Sequence, residues 1–201
     1  MYSIRSGLIL GFHSCDKKIR DSVLKGSDKL KKSNNEYDWL GHGIYFWENS
    51  LERAEEHAEE LLKSPHKTKG KINNPTVLGA VLSLGNCLDL LDSKSIEVVR
   101  NAYETLIETS SVIPENKKPK GGKNILIRNL DCAVIEMVHS INESLGERRY
   151  DSVRGMFEEG DELYPNSGFK TKNHIQICIR NPNCIKGYFL PVVSDKNYEI
   201  P

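Results

Sequence analysis

The chain has 201 residues, 38% hydrophobic and 28% charged, with 28 basic and 28 acidic side chains, so its formal net charge is zero. This length suits one folded domain with insertions, the composition is that of a soluble globular protein, and zero net charge argues against a surface that attracts nucleic acid everywhere. No apolar run approaches the roughly 18 residues a spanning helix needs, and the first ten residues lack a basic region followed by a long apolar core, so neither membrane insertion nor secretion is expected. Five cysteines (Cys15, Cys87, Cys132, Cys178 and Cys184) form no Cys-x-x-Cys pair. They are expected as reduced thiols of a cytoplasmic protein without a metal site.

In chain order, residues 8–13 read as a short apolar strand that ends at a polar residue. Residues 16–25 place Ile19, Val23 and Leu24 at helical spacing, with Gly26 as a stop signal. Residues 31–38 are loop-like, and residues 43–47 form an aromatic and β-branched strand. A helix is predicted from Asn49 through Lys63, with an Asn49/Glu52 capping box and an apolar stripe of Leu51, Ala54, Ala58, Leu61 and Leu62. A basic loop at 65–74 precedes a strand at 76–84 that ends at Gly85.

The spacing of Ile96, Val99, Tyr103, Leu106 and Ile107 predicts a helix over 93–109, and a second is predicted over 130–145 before Gly146. Between them, 114–124 carries four lysines and reads as a mobile surface loop. Strands are predicted at 151–157 and 174–179, with a loop at 158–172 between them. Residues 185–190 are expected to pair with 174–179 as a hairpin across Asn181-Pro182-Asn183. Without a regular βαβ alternation, the fold class is α+β in a single domain over 1–201, with 86–146 as a helical insertion. Local basic clusters occur at Lys17, Lys18, Arg20 and Lys25, at Lys29, Lys31 and Lys32, and at Lys117, Lys118, Lys120 and Lys123. Their plain reading is solvated surface.

The most informative stretch is Tyr37-Asp38-Trp39-Leu40-Gly41-His42-Gly43-Ile44-Tyr45-Phe46-Trp47. Two glycines around one residue let the backbone turn sharply and approach a ligand, and Tyr45 offers a flat ring with a polar tip. The earlier strand ends Gly11-Phe12-His13-Ser14.

Together these segments resemble the poly(ADP-ribose) polymerase and diphtheria-toxin branch of the ADP-ribosyltransferases. Its members carry a His-Gly-Ser-like segment, then Gly-x-Gly-Ile-Tyr-Phe, then a helix. The match runs over 8–63, and a second stretch over 173–190 is similar to the strand that bears the third catalytic position. The resemblance implies a split antiparallel sheet with flanking helices, and NAD as co-substrate without a metal. It implies His13 on the adenosine ribose, the Ser14 backbone on the nicotinamide amide, and Tyr45 stacked on the nicotinamide ring. Gly43 and Phe46 belong to the same cofactor-binding segment, and His57 is a second stacking group on the helix. Two positions depart from the pattern: Ser14 stands where the family has Gly, and Gln176 where it has Glu. Gln can hydrogen-bond a ribose hydroxyl but cannot act as a general base.

Arg154 is a candidate for the NAD pyrophosphate because Arg binds phosphate bidentately. Acidic residues Glu158, Glu159, Asp161 and Glu162 precede the Gln176 strand and could supply a base for the acceptor. The resemblance thus implies a mono-ADP-ribosyltransferase of the kind used as bacterial toxins or in phage defence. Its acceptor would be RNA, DNA or protein, an antitoxin is a possible partner, and no membrane is involved. Trp39 and Trp47 near the cleft would allow stacking on bases. NAD hydrolysis and a catalytically silent NAD- or ADP-ribose-binding module that works through a protein partner are the alternatives.

Overall fold

Alternation of side chains along two adjacent strands explains most of the architecture. In Ile44–Glu48 (β2), Ile44 and Phe46 join one core cluster, while Tyr45 and Trp47 point into clusters on the other face. The computed structural model describes residues 7–64, 72–192, 195 and 197–199. The other strands are Ile9–Asp16 (β1), Pro75–Leu82 (β3), Cys87–Asp89 (β4), Asn116–Lys117 (β5), Ile127–Arg128 (β6), Ser152–Phe157 (β7), His174–Ile179 (β8) and Ile185–Phe189 (β9). The helices are Lys17–Leu24 (α1), Leu51–Lys63 (α2), Ser93–Thr109 (α3) and Asn129–Ser144 (α4). Seven strands form one sheet in the order β4-β7-β8-β2-β1-β3-β9, antiparallel except for the parallel β4/β7 pair. The fold is therefore mixed α+β with a large, mostly antiparallel sheet and, among the described residues, four α-helices.

The sheet is nearly divided in its middle. β1 and β3 pair over eight positions, Ile9↔Leu82 to Asp16↔Pro75, whereas β1 meets β2 only at Gly11↔Glu48 and Phe12↔Trp47. Beyond Phe12 the two strands part. One face is filled by Cys15, Ile44, Phe46, Leu78, Leu82, Ile177 and Ile179, closed over by Val23 of α1 and Leu30. On the other face, Ala54 of α2 packs with Phe12, Trp47 and Val77, while α3 and α4 cover Leu40, Leu88, Val153 and Cys178.

Local signals differ in how they come out. The Asp16 carboxylate caps α1 by accepting from the Lys18 N–H at 2.9 Å, and it also accepts from the N–H groups of Asn73 and Asn74. Gly26, Gly85 and Gly146 all take positive φ (71°, 61° and 68°), as stop signals do. The capping box expected at Asn49 is absent. Asn49 takes a left-handed φ of 49°, α2 starts at Leu51, and its N-cap Ser50 makes no side-chain bond. The expected hairpin of 174–179 with 185–190 is also overturned. The 3₁₀ turn Pro182–Cys184 redirects the chain, and β9 crosses to the far edge, where it pairs with β3. Pattern reading missed β4 and the two-residue strands β5 and β6, which are too short to show a period. Of the basic loop expected at 65–74, residues 65–71 lie outside the described residues.

Candidate functional site

The place where β1 and β2 part is built around His13. Separation of the strands leaves the Tyr45 carbonyl without a ladder partner, and His13 Nδ1 donates to it at 2.8 Å. This bond defines the tautomer: Nδ1 carries the proton and Nε2 is a lone-pair acceptor. Burial lowers the His13 pKa and outweighs the raising effect of that bond, so the ring is neutral near pH 7. The His13 ring rests against Phe46, with centroids 5.7 Å apart.

Tyr45 braces the glycine turn. Its hydroxyl accepts from the Leu40 N–H at 3.0 Å and donates to the Gly41 carbonyl at 2.8 Å. Burial pushes its phenol well above the usual range. Gly41 has a φ of 75°, and a Cβ there would meet Glu136 at 2.5 Å. From α4, Glu136 accepts from the His42 N–H at 2.8 Å and from Arg180 at 2.5 Å. Burial works to raise the Glu136 pKa, but these bonds more than offset it and hold the carboxyl ionised. The helical insertion therefore pins the turn from outside.

Register places Ser14, Tyr45, Trp47, Cys178 and Gln176 on the same sheet face, since Tyr45 faces Cys178 and Trp47 faces Gln176 across β2/β8. Gln176 Oε1 accepts from Trp39 Nε1 at 2.7 Å. Because the indole can only donate, the amide oxygen is turned to Trp39, and the Gln176 NH2 donors remain for another partner. Ser14 is buried and donates from Oγ to the Ala54 carbonyl at 2.5 Å, tying β1 to α2. The Ser in place of Gly thus has its own structural use.

Next to this face lies a group that sequence reading only touched. The rings of Trp47 and His57 are 4.7 Å apart, those of Trp47 and His174 are 6.2 Å apart, and those of Phe157 and His174 are 5.4 Å apart. Burial lowers the His57 pKa to about 4 and lowers that of His174 as well, so both are neutral. His174 Nδ1 lies 2.7 Å from the Lys172 carbonyl, which leaves Nε2 as an acceptor. Trp47 Nε1, Arg53 Nε, His57 Nδ1 and His174 Nε2 are all buried without a hydrogen-bond partner. Unpartnered buried polar atoms are costly, and native proteins hold few of them. Arg53 pairs with Glu56 and, at 3.2 Å, with Glu159. The Glu159 pKa is raised, chiefly by burial. His174 and Arg53 carried no motif, and only their position on the folded sheet brings them in.

Three expected site residues take other parts. Arg154 is 4% exposed and its guanidinium is filled by carboxylates: Glu48 at 2.5 and 2.9 Å, and Asp89 at 3.1 and 3.2 Å. It ties three strands together, and its donors are not open to a pyrophosphate. Phe46 is 0% exposed and works as core packing behind His13. Gly43 exchanges both backbone hydrogen bonds with Ser33, and a Cβ there would meet Cys178 Sγ at 2.5 Å and the Ile179 carbonyl at 2.7 Å. The close approach it permits is to β8, not to a ligand.

Among the described residues no helix is long and apolar enough to cross a membrane, and no cluster of His, Cys, Asp and Glu could hold a metal ion. All five cysteines are free, and burial raises the thiol pKa of Cys15, Cys132, Cys178 and Cys184. No protein-family model matches the chain, and no solved structure matches it. The chain is 23% identical, over 193 residues, to an uncharacterized protein of Methanocaldococcus jannaschii; the alignment covers 87% of this chain and 83% of that protein.

Proposed function

We propose that this chain is an NAD-dependent mono-ADP-ribosyltransferase with an ADP-ribosyltransferase-like fold that modifies an intracellular macromolecule. The observation that carries the reading is the His13–Tyr45 link at the parting of β1 and β2. A neutral imidazole with a defined acceptor nitrogen sits beside an aromatic strand, on a sheet that is nearly split. Its neighbours fit the donor: Tyr45 and Gln176 share one face, and partnerless polar atoms of Trp47, Arg53, His57 and His174 lie next to them.

In this reading, His13 Nε2 accepts from a ribose hydroxyl and the Ser14 backbone meets the nicotinamide amide. Tyr45 and His57 flank the nicotinamide ring. The bond between nicotinamide and the ribose C1′ breaks with its electron pair moving to the nicotinamide nitrogen, which leaves as a neutral molecule. The ribose becomes an oxocarbenium-like centre. Gln176, oriented by Trp39, donates through its NH2 to the adjacent ribose hydroxyl and holds the sugar in place. The acceptor adds to C1′ and releases a proton. Glu159, whose raised pKa suits it to take up that proton, is the carboxylate of the preceding loop that pairs with Arg53. Arg154 has no part in this scheme.

Water as acceptor would make the same site an NAD glycohydrolase. The test is incubation with NAD labelled in the adenylate part, together with separate pools of RNA, DNA and cell protein. Label fixed on one pool with stoichiometric nicotinamide release is the expected result. Free ADP-ribose alone assigns the hydrolase, and the absence of nicotinamide release counts against both.

A further inference from the structure

Trp39 has two sides. Its indole N–H orients Gln176, and its ring forms one wall of a pocket of about 380 Å³ between α3 and α4. The floor is aliphatic, made by Leu90, Val99, Leu130 and Val134, and the rim carries Arg100, Tyr103 and Arg128. A volume in this range holds a small ligand. The Arg128 guanidinium lies 4.9 Å from the Trp39 ring centroid and 5.2 Å from that of Phe157, and it is paired with Asp131. Asp131 is also held by Asn116 at 2.9 Å. Arg100, by contrast, is exposed and has no ion pair among the described residues.

The pocket rim is also the foot of a basic arm. Strand β5 pairs with β6 through Asn116↔Arg128 and Lys117↔Ile127, and the intervening chain carries Lys118, Lys120 and Lys123, all exposed. From 115 to 131 there are five cationic side chains and two carboxylates, on a chain whose net charge is zero. Lys123 is paired with Asp161 and Lys117 with Glu115, so among the described residues Lys118, Lys120 and Arg100 are the cations without an ion pair beside the apolar slot and its aromatic wall. The ligand chemistry that matches both is a flat, uncharged ring attached to a line of negative charges.

We propose that the α3–α4 pocket and the lysine arm bind single-stranded nucleic acid, with one base against Trp39 and its phosphates along Arg100 and the lysines. The site deepens the transferase reading, and rests on it for the meaning of the bound strand as acceptor. Trp39 then joins acceptor to donor: the base enters the slot walled by the residue whose indole N–H orients Gln176. A base inside a duplex cannot reach such a slot without leaving its stack, so single strands are preferred.

The test measures binding without NAD, which separates it from the transferase reading. Labelled single-stranded RNA and DNA of about ten nucleotides, and the duplex of the same sequence, are titrated by fluorescence anisotropy at several salt concentrations. At least one single strand is expected to bind more tightly than the duplex, with affinity that falls as salt rises. Val99→Trp, which fills the slot, and Arg100→Glu are each expected to weaken binding about tenfold, the loss of one stacked base or one phosphate contact. The pair Lys118→Glu and Lys120→Glu is expected to flatten the salt dependence. Melting curves check that each variant is folded. No binding by either strand, full binding by Val99→Trp and Arg100→Glu, or label transferred to protein with no strand bound each overturns the proposal. Pocket-dependent binding by a protein that never turns over NAD would leave this site standing and remove the transferase reading.

Discussion

A side chain at this site often does two jobs, and the separation of the two is what substitutions can measure. The Tyr45 hydroxyl fixes the Leu40–Gly41 turn from within. Tyr45→Phe keeps the ring but leaves the buried Leu40 N–H without its partner, at about 1–3 kcal/mol, while the Gly41 carbonyl keeps the Cys178 thiol. It is expected to lower the melting temperature while retaining NAD binding through the ring. Gln176→Ala removes the donor to the ribose and the Trp39 acceptor together. On the transferase reading it lowers kcat more than it raises KM, because the contact strengthens as charge develops on the sugar. Equal small effects on kcat and KM would take Gln176 out of the chemistry. At this scale the sequence was informative where residue type alone decides. His13, Tyr45 and Gln176 lie on the neighbouring strands β1, β2 and β8, Tyr45 and Gln176 on a common face. It was uninformative for His174 and Arg53, whose neighbours in space come from distant segments. It also misled at Arg154, because a buried Arg and a phosphate-binding Arg are the same letter until Glu48 and Asp89 are placed beside it.

The elements supply the positions. β7, β2 and β4 are tied by Arg154 between Glu48 and Asp89, with the guanidinium almost wholly buried. Removal of one partner from such a cluster leaves the other charges uncompensated. Arg154→Ala is therefore expected to destabilise the fold by about 3–5 kcal/mol, as read by chemical denaturation. A variant with unchanged stability and selectively lost NAD binding would return Arg154 to the pyrophosphate. The longer helices were legible because their apolar periodicity persists over several turns: the predicted 93–109 coincides with Ser93–Thr109, and 130–145 differs from Asn129–Ser144 by one residue at each end. The β9 pairing was not legible. A short apolar strand after Asn-Pro-Asn suits a hairpin with β8 as well as it suits an edge beside β3, and the choice depends on β7, which already occupies the other side of β8.

For the whole molecule, buried neutral histidines set the response to acid. His13, His57, His139 and His174 all have pKa values lowered by burial, to about 4 for His57 and His139. The unfolded chain takes up protons on these rings near the ordinary value of about 6.5, whereas the folded chain does not. Between these limits the unfolded state binds more protons, so stability rises with pH and is lost as pH falls from about 6.5. The melting temperature is expected to drop from pH 7 to pH 5, and His139→Phe should reduce that drop. A melting temperature indifferent to pH over this range would contradict the burial of the histidines. The α+β class was readable from the mixture of periods along the chain, because strands and helices follow without regular alternation. Periodicity does not show the near-division of the sheet, which is a property of how few pairs β1 makes with β2 and was expected only from the resemblance.

The central claim is that NAD occupies the parting of β1 and β2, against Tyr45. Calorimetric titration of the folded wild-type protein and of Tyr45→Ala with NAD tests it most directly. The account predicts saturable binding by the wild type and a loss of at least about tenfold in Tyr45→Ala, in keeping with an aromatic contact of about 1.5 kcal/mol, with both proteins folded by their melting curves. Absence of NAD binding by the wild type, or equal affinity in the two, would contradict it.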